Sequence, residues 1–272
     1  MAMKWPKYAA FLRHLPSAYN ILRGFKEADP LYVEFRRNFE LDPDSKKTKQ
    51  LARKVADKWR LPTGDHNTRL VEEERHKGVV TGQALRNFLE LPDVIFVSPY
   101  ERTLHTLASL TEGWPELAGV KTLEEERIRE QEHALGLIYN DWRVMHALHP
   151  EQRLLYEIEG PYWYRYPQGE NVPDVRSRGR DFMTTVIREF AEKKVLAVTH
   201  HLTILGIRAN QERWDAKKFL EVDETNKPAN CSLTLYQGDQ NQGRNGRLVL
   251  TEYNKIFYWS RYPGAKKLAP GY

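Results

Sequence analysis

The sequence predicts an α/β fold, a three-layer αβα arrangement around a mainly parallel sheet with helical and loop insertions. Two observations predict it. Apolar runs at residues 8–12, 94–97 and 195–198 have the length of buried strands and are too short for helices. Helical patterns alternate with them, at 80–89 and 172–191 ahead of a run and at 101–110 and 202–209 after one.

Taken in order, the first run ends at the polar pair Arg13-His14, as a central strand ending at a sheet edge does. Residues 24–78 follow as a charged, helical excursion. Within it, residues 45–60 carry Lys46, Lys47, Lys49, Arg53, Lys54, Lys58 and Arg60 against one acid, Asp57, while Leu51, Val55 and Trp59 recur at helical spacing. That pattern predicts an amphipathic helix with a solvated basic face, an anion-binding surface being the alternative. A second excursion, 123–170, is charged and then strongly aromatic. Its Tyr162, Trp163, Tyr164 and Tyr166 lie between Pro161 and Pro167, which predicts a loop. Strands at 232–236 and 248–253, joined by the polar segment 238–246, predict a hairpin at the sheet edge. Neither excursion is bounded by a Gly, Ser or Pro-rich linker, so residues 1–272 read as a single domain.

Composition narrows the function. With 40% hydrophobic and 29% charged residues among 272, the chain is neither disordered nor fibrous. A single cysteine, Cys231, excludes an internal disulfide and a thiolate zinc cluster, and points to a reducing, cytoplasmic compartment. No apolar leader opens the chain, and no stretch approaches the roughly 18 apolar residues of a membrane helix. The net charge of +5 suits a small anionic ligand, and neither a membrane nor a nucleic-acid partner is expected.

In doubly wound sheets, ligands bind beyond the carboxyl ends of the strands. Here those ends carry Arg13-His14, then Ser98-Pro99-Tyr100-Glu101-Arg102, then Thr199-His200-His201. Two arginines and three histidines at one sheet edge suit a dianionic phosphoryl group, because guanidinium forks match its oxygens bidentately. A small phosphorylated substrate is expected.

These segments resemble the histidine phosphatase superfamily, the phosphoglycerate-mutase-like enzymes. The opening motif Arg-His-Gly-Glu-Ser-x-x-Asn is met by Arg13, His14, Ser17 and Asn20, with Leu15 and Pro16 in place of Gly and Glu. Ser-Pro-x-x-Arg-x-x-x-Thr is met by Ser98, Pro99, Arg102 and Thr106, and the second histidine by His200, with His201 where glycine is common. Arg129-Glu130-Gln131 resembles the segment that supplies the acid, and residues 165–178 resemble the stretch leading into the long helix. The resemblance implies His14 as nucleophile, Glu130 as general acid and base, and Arg13, Asn20, Arg102, His200 and His201 as phosphate ligands, His200 clamping the oxygens if protonated. It implies no cofactor and no metal, since arginines take the cation's place. The acid segment lacks the Asn-Glu-Arg-His-Tyr-Gly of dedicated phosphoglycerate mutases, so a phosphatase is expected. A mutase and a non-catalytic phosphate-binding or scaffold relative are the alternatives. A backbone needing positive φ at position 15 would make Leu15 costly. The 24–78 excursion reads equally as a lid, a contact between two copies of a homodimer, or a regulatory element.

Overall fold

The structure, a computed structural model, describes residues 4–242 and 245–258. Along the chain, β1 (Tyr8–Arg13) is followed by α1 (Ala18–Ala28), α2 (Pro30–Leu41), α3 (Lys46–Trp59) and α4 (Arg75–Phe88). Next come β2 (Val94–Val97), α5 (Glu101–Gly113), β3 (Thr122–Glu124), α6 (Leu135–Ile138), α7 (Trp142–Leu148), α8 (Pro150–Trp163) and α9 (Val172–Glu189). The described residues end with β4 (Lys194–Thr199), α10 (His201–Gln211), α11 (Ala216–Thr225), β5 (Leu233–Asp239) and β6 (Arg247–Lys255).

The strands form one sheet in the order β3-β2-β4-β1-β5-β6. Pairings among the first four are parallel, while β5 runs antiparallel to β1 and β6 antiparallel to β5. This is the predicted αβα class with the predicted edge hairpin. Alternation along β1 divides its side chains between two cores. Ala10 and Leu12 pack with Leu85, Val97 and Leu110 on the face that α4 and α5 cover. Ala9 and Phe11 pack with Phe182, Val186, Ile204 and Ile207 on the face that α9 and α10 cover. Burying a side chain of this size contributes about 1.5–3 kcal/mol.

The chain divides into two compact units. The first holds the sheet and comprises residues up to 17, 69–130 and from 175 onward; the second comprises 18–68 and 131–174. The second unit overlaps the two excursions read at 24–78 and 123–170, with boundaries displaced by four to ten residues. The second unit has its own core, where Tyr32 and Phe35 of α2 meet Leu51 and Val55 of α3 and Val144 of α7. The basic helix predicted over 45–60 is α3, capped by Ser45, whose side chain accepts from the Thr48 amide. Its Lys47, Lys49 and Lys58 pair with Glu34, Asp44 and Asp29.

Two elements differ from the sequence reading. β3 is a three-residue edge strand of polar character, so it lacks the apolar run that betrays a central strand. Part of the aromatic segment 161–167 is helical, since Gly160 at φ 76 breaks α8 and Pro161 opens a further turn. Proline is suited to a first helical turn, where its missing N–H leaves no gap.

Candidate active site

Strand register creates the site. Arg13 of β1 lies opposite Thr199 of β4, and Val97 of β2 opposite Val198. Backbone bonds continue the ladder one residue further, His14 donating to the Thr199 carbonyl (2.9 Å) and Ser98 to the Val198 carbonyl (3.0 Å). Three strands therefore deliver Arg13-His14, Ser98 and Thr199-His200 to one edge. From the other side the Cys231 amide donates to the carbonyls of Arg13 and His14, and Asn230 Nδ2 donates to the His14 carbonyl (2.9 Å).

His14 is 4% exposed, and its Nδ1 lies 2.6 Å from the Leu15 carbonyl. A carbonyl only accepts, so Nδ1 carries the proton and Nε2 keeps its lone pair. Burial, followed by the positive charges of Arg102 and Arg13, holds this imidazole well below the usual histidine range. It is neutral at pH 7. Arg13 donates from Nη1 to the Pro228 carbonyl (2.7 Å), and burial lowers its guanidinium to about 10 against the attraction of Glu130.

The His14 and His200 rings meet edge to face, 5.1 Å between centroids. His200 Nε2 and Ser98 Oγ are 2.8 Å apart, Tyr100 packs against the imidazole at 5.0 Å, and the Arg102 guanidinium lies over the Tyr100 ring at 4.8 Å. Burial and then Arg102 depress His200 strongly as well. His200 is therefore a neutral hydrogen-bonding group at pH 7. A phosphate dianion against it would favour protonation.

Leu15 does not adopt positive φ, so the glycine of the family motif is not conformationally required here. Its amide donates to Thr106 Oγ1 (2.9 Å), and Thr106 Oγ1 in turn donates to the Arg102 carbonyl (2.7 Å). The turn after β1 and the helix carrying Arg102 are thereby tied together.

Glu130 reaches the same strand ends from the loop after β3. Its Oε1 accepts from the Leu202 amide in the first turn of α10 (3.2 Å). Arg178 of α9 fixes the loop by donating to the carbonyls of Arg127 (2.8 Å), Arg129 (2.7 Å) and Glu130 (3.0 Å), and Thr199 Oγ1 donates to the Ile128 carbonyl (2.6 Å). His201 Nε2 pairs with Asp223 of α11 at 2.5 Å. Burial would raise that carboxyl, but the His201 hydrogen bond together with the charges of His201, Lys227 and Arg13 holds Asp223 below the usual range.

Arg13, His14, Arg102, Glu130, His200 and His201 all belong to the first unit. Asn20 sits on α1 in the second unit, and its part in phosphate binding stays an expectation. Sequence reading missed Asp223 and Asn230, whose isolated positions carry no motif. Arg178 was legible only as a letter in the motif stretch that runs into α9, without its anchoring role.

The profile of the Histidine phosphatase superfamily (branch 1) matches residues 52–251, a span holding Arg102, Glu130, Arg178 and His200 but beginning after His14. Two phosphoglycerate mutase-like proteins of Arabidopsis thaliana are 27% and 25% identical over 195 and 152 residues, 64% and 52% of this chain. The matches span 66% and 45% of those proteins' own lengths. Among solved structures, a mycobacterial glucosyl-3-phosphoglycerate phosphatase superposes over 92% of this chain and 99% of its own with a TM-score of 0.60 at 19% identity. Bacillus stearothermophilus YhfR does so over 92% and 98% with a TM-score of 0.65 at 16% identity. These similarities establish the fold, and the profile match establishes that the chain belongs to the histidine phosphatase superfamily, branch 1.

Proposed function

We propose that the protein is a phosphatase that hydrolyses small phosphomonoesters through a phosphohistidine on His14, without a metal ion. The observation that carries this reading is the fixed His14 imidazole, with Nδ1–H tied to the Leu15 carbonyl and its charge suppressed by burial beside Arg102 and Arg13. Superfamily membership and the likeness of the fold to a mycobacterial glucosyl-3-phosphoglycerate phosphatase support it.

In the first step the His14 Nε2 lone pair attacks phosphorus while the ester P–O bond breaks, and the leaving alkoxide takes a proton from the Glu130 carboxyl. In the second, Glu130 as carboxylate removes a proton from water. The resulting hydroxide attacks phosphorus, the N–P bond breaks, its electron pair returns to the imidazole, and orthophosphate leaves. Arg13, Arg102 and His200 hold the equatorial oxygens. Each such donor is typically worth about 3–4 kcal/mol in the transition state.

The test is release of orthophosphate from an aryl phosphate with and without chelator. Chelator-resistant release abolished by His14→Ala is expected. Release that survives His14→Ala, or isomerisation of a phosphoglycerate without release, contradicts the reading.

A further inference from the structure

A second basic concavity lies where α10 ends. It encloses about 470 Å³ and is lined by Arg176 and Arg180 of α9, by Asn210 of α10, and by Arg213 and Trp214 just beyond it, with Met183 as part of its apolar floor. No Asp or Glu lines it. The neighbouring acids are engaged elsewhere, Glu212 with Arg208 and Asp181 with Arg127. α10 spans eleven residues from His201 to Gln211, so about 15 Å separates this end from the catalytic end.

The local backbone presents these cations. α10 closes with the Trp214 amide on the Ala209 carbonyl (2.9 Å), a turn that places Arg213 in the left-handed region at φ 57. Glycine is the usual residue there, and an arginine is strained in that conformation. Arg176 is oriented by Asn210, donating from Nε to Asn210 Oδ1 (3.2 Å), while Asn210 Nδ2 donates to the Arg176 carbonyl (2.7 Å). The Arg180 and Arg213 side chains are exposed, and their guanidinium groups make no hydrogen bond or ion pair among the described residues. Three guanidinium groups around one concavity, without an acid and beside an indole, are complementary to several phosphate oxygens attached to a flat apolar ring.

We infer that this concavity is a second ligand site, separate from the catalytic one, for a small polyanion bearing an aromatic ring, the nucleoside polyphosphate class. Arg180 and Arg213 meet the phosphates, Arg176, held by Asn210 Oδ1 and the Ala209 carbonyl, adds positive charge beside them, and Trp214 packs against the ring.

The β,γ-imido analogue of ATP, which resists hydrolysis, is titrated calorimetrically at physiological salt against the wild type, Arg180→Glu/Arg213→Glu and His14→Ala. Binding is expected in the wild type and His14→Ala alike, weakened by about tenfold or more in the double variant. Adenosine alone does not bind, and Trp214→Ala brings the analogue down to the affinity of inorganic tripolyphosphate. Arg213→Gly guards against misfolding, since it relieves the left-handed strain; it keeps the unfolding midpoint and weakens binding. Equal binding by the folded double variant, or loss of binding with His14→Ala instead, overturns the inference. So does unchanged binding with lowered stability, which makes these arginines no more than partners for the end of α10. None of these readouts uses phosphatase turnover, so they stand or fall apart from the proposed activity.

Discussion

Gly78 leaves the room that Leu15 fills. A Cβ on Gly78 would stand 2.9 Å from Leu15 Cδ1 and 2.6 Å from Ser109 Cβ, distances at which something must shift. Leu15 is fully buried in the core beneath α4 and α5 and needs no positive φ. Leu15→Gly, which restores the family residue, is therefore expected to destabilise the protein by about 3 kcal/mol or more rather than stabilise it. Gly78→Ala is expected to cost about 1–3 kcal/mol by overpacking. Urea unfolding checks both.

Ala134 carries the opposite lesson. It adopts φ 39 and ψ −108, a conformation glycine tolerates and alanine does not. Ala134→Gly is expected to raise stability by about 1 kcal/mol, read as a higher urea midpoint at an unchanged slope.

His146 makes the second unit acid-sensitive. It is 1% exposed among Trp142, Tyr156 and Tyr164, its Nε2 lacks a hydrogen-bond partner, and burial and then Arg153 lower it to about 4. The unfolded chain takes up this proton below about pH 6.5 and the folded chain only near 4, so stability is lost as pH falls through that window. His146→Phe is expected to make the loss between pH 7 and pH 5 about 2 kcal/mol smaller in urea titrations. His14 and His200, also depressed, add loss of the same sign below pH 6.5.

Arg178 acts on Glu130 through the backbone it grips. Glu130→Gln is expected to slow hydrolysis of alkyl phosphates by about a hundredfold or more, while an aryl phosphate with a good leaving group, needing less protonation, loses far less in its first step. Arg178→Lys keeps the charge and loses the fork, and is expected to show the same leaving-group pattern at smaller amplitude. Equal losses on both substrates would assign these residues to binding instead.

Legibility followed the physics of each signal. The central strands were readable because burial on both faces demands unbroken apolar runs, and Val94–Val97 emerged with the predicted ends. Arg13-His14, Arg102 and His200 were readable because the strand ends had to meet at one sheet edge. The neutral state of His200 was not, since it depends on burial beside Arg102 rather than on its own letter. Leu15 was misleading by itself, because the space it occupies is set by Gly78, sixty-three positions away along the chain. Asp223 was silent for a similar reason, an ordinary acid on an amphipathic helix that packing brings to His201.

The central claim is covalent, and its most direct test is to quench the protein during turnover of a phosphomonoester and locate the phosphoryl group by mass spectrometry under alkaline conditions. An acid-labile phosphoryl group on the His14 peptide, absent from His14→Ala and persisting longer in Glu130→Gln, is the predicted result. Steady release of orthophosphate with no phosphoryl group on that peptide in either protein would contradict the account.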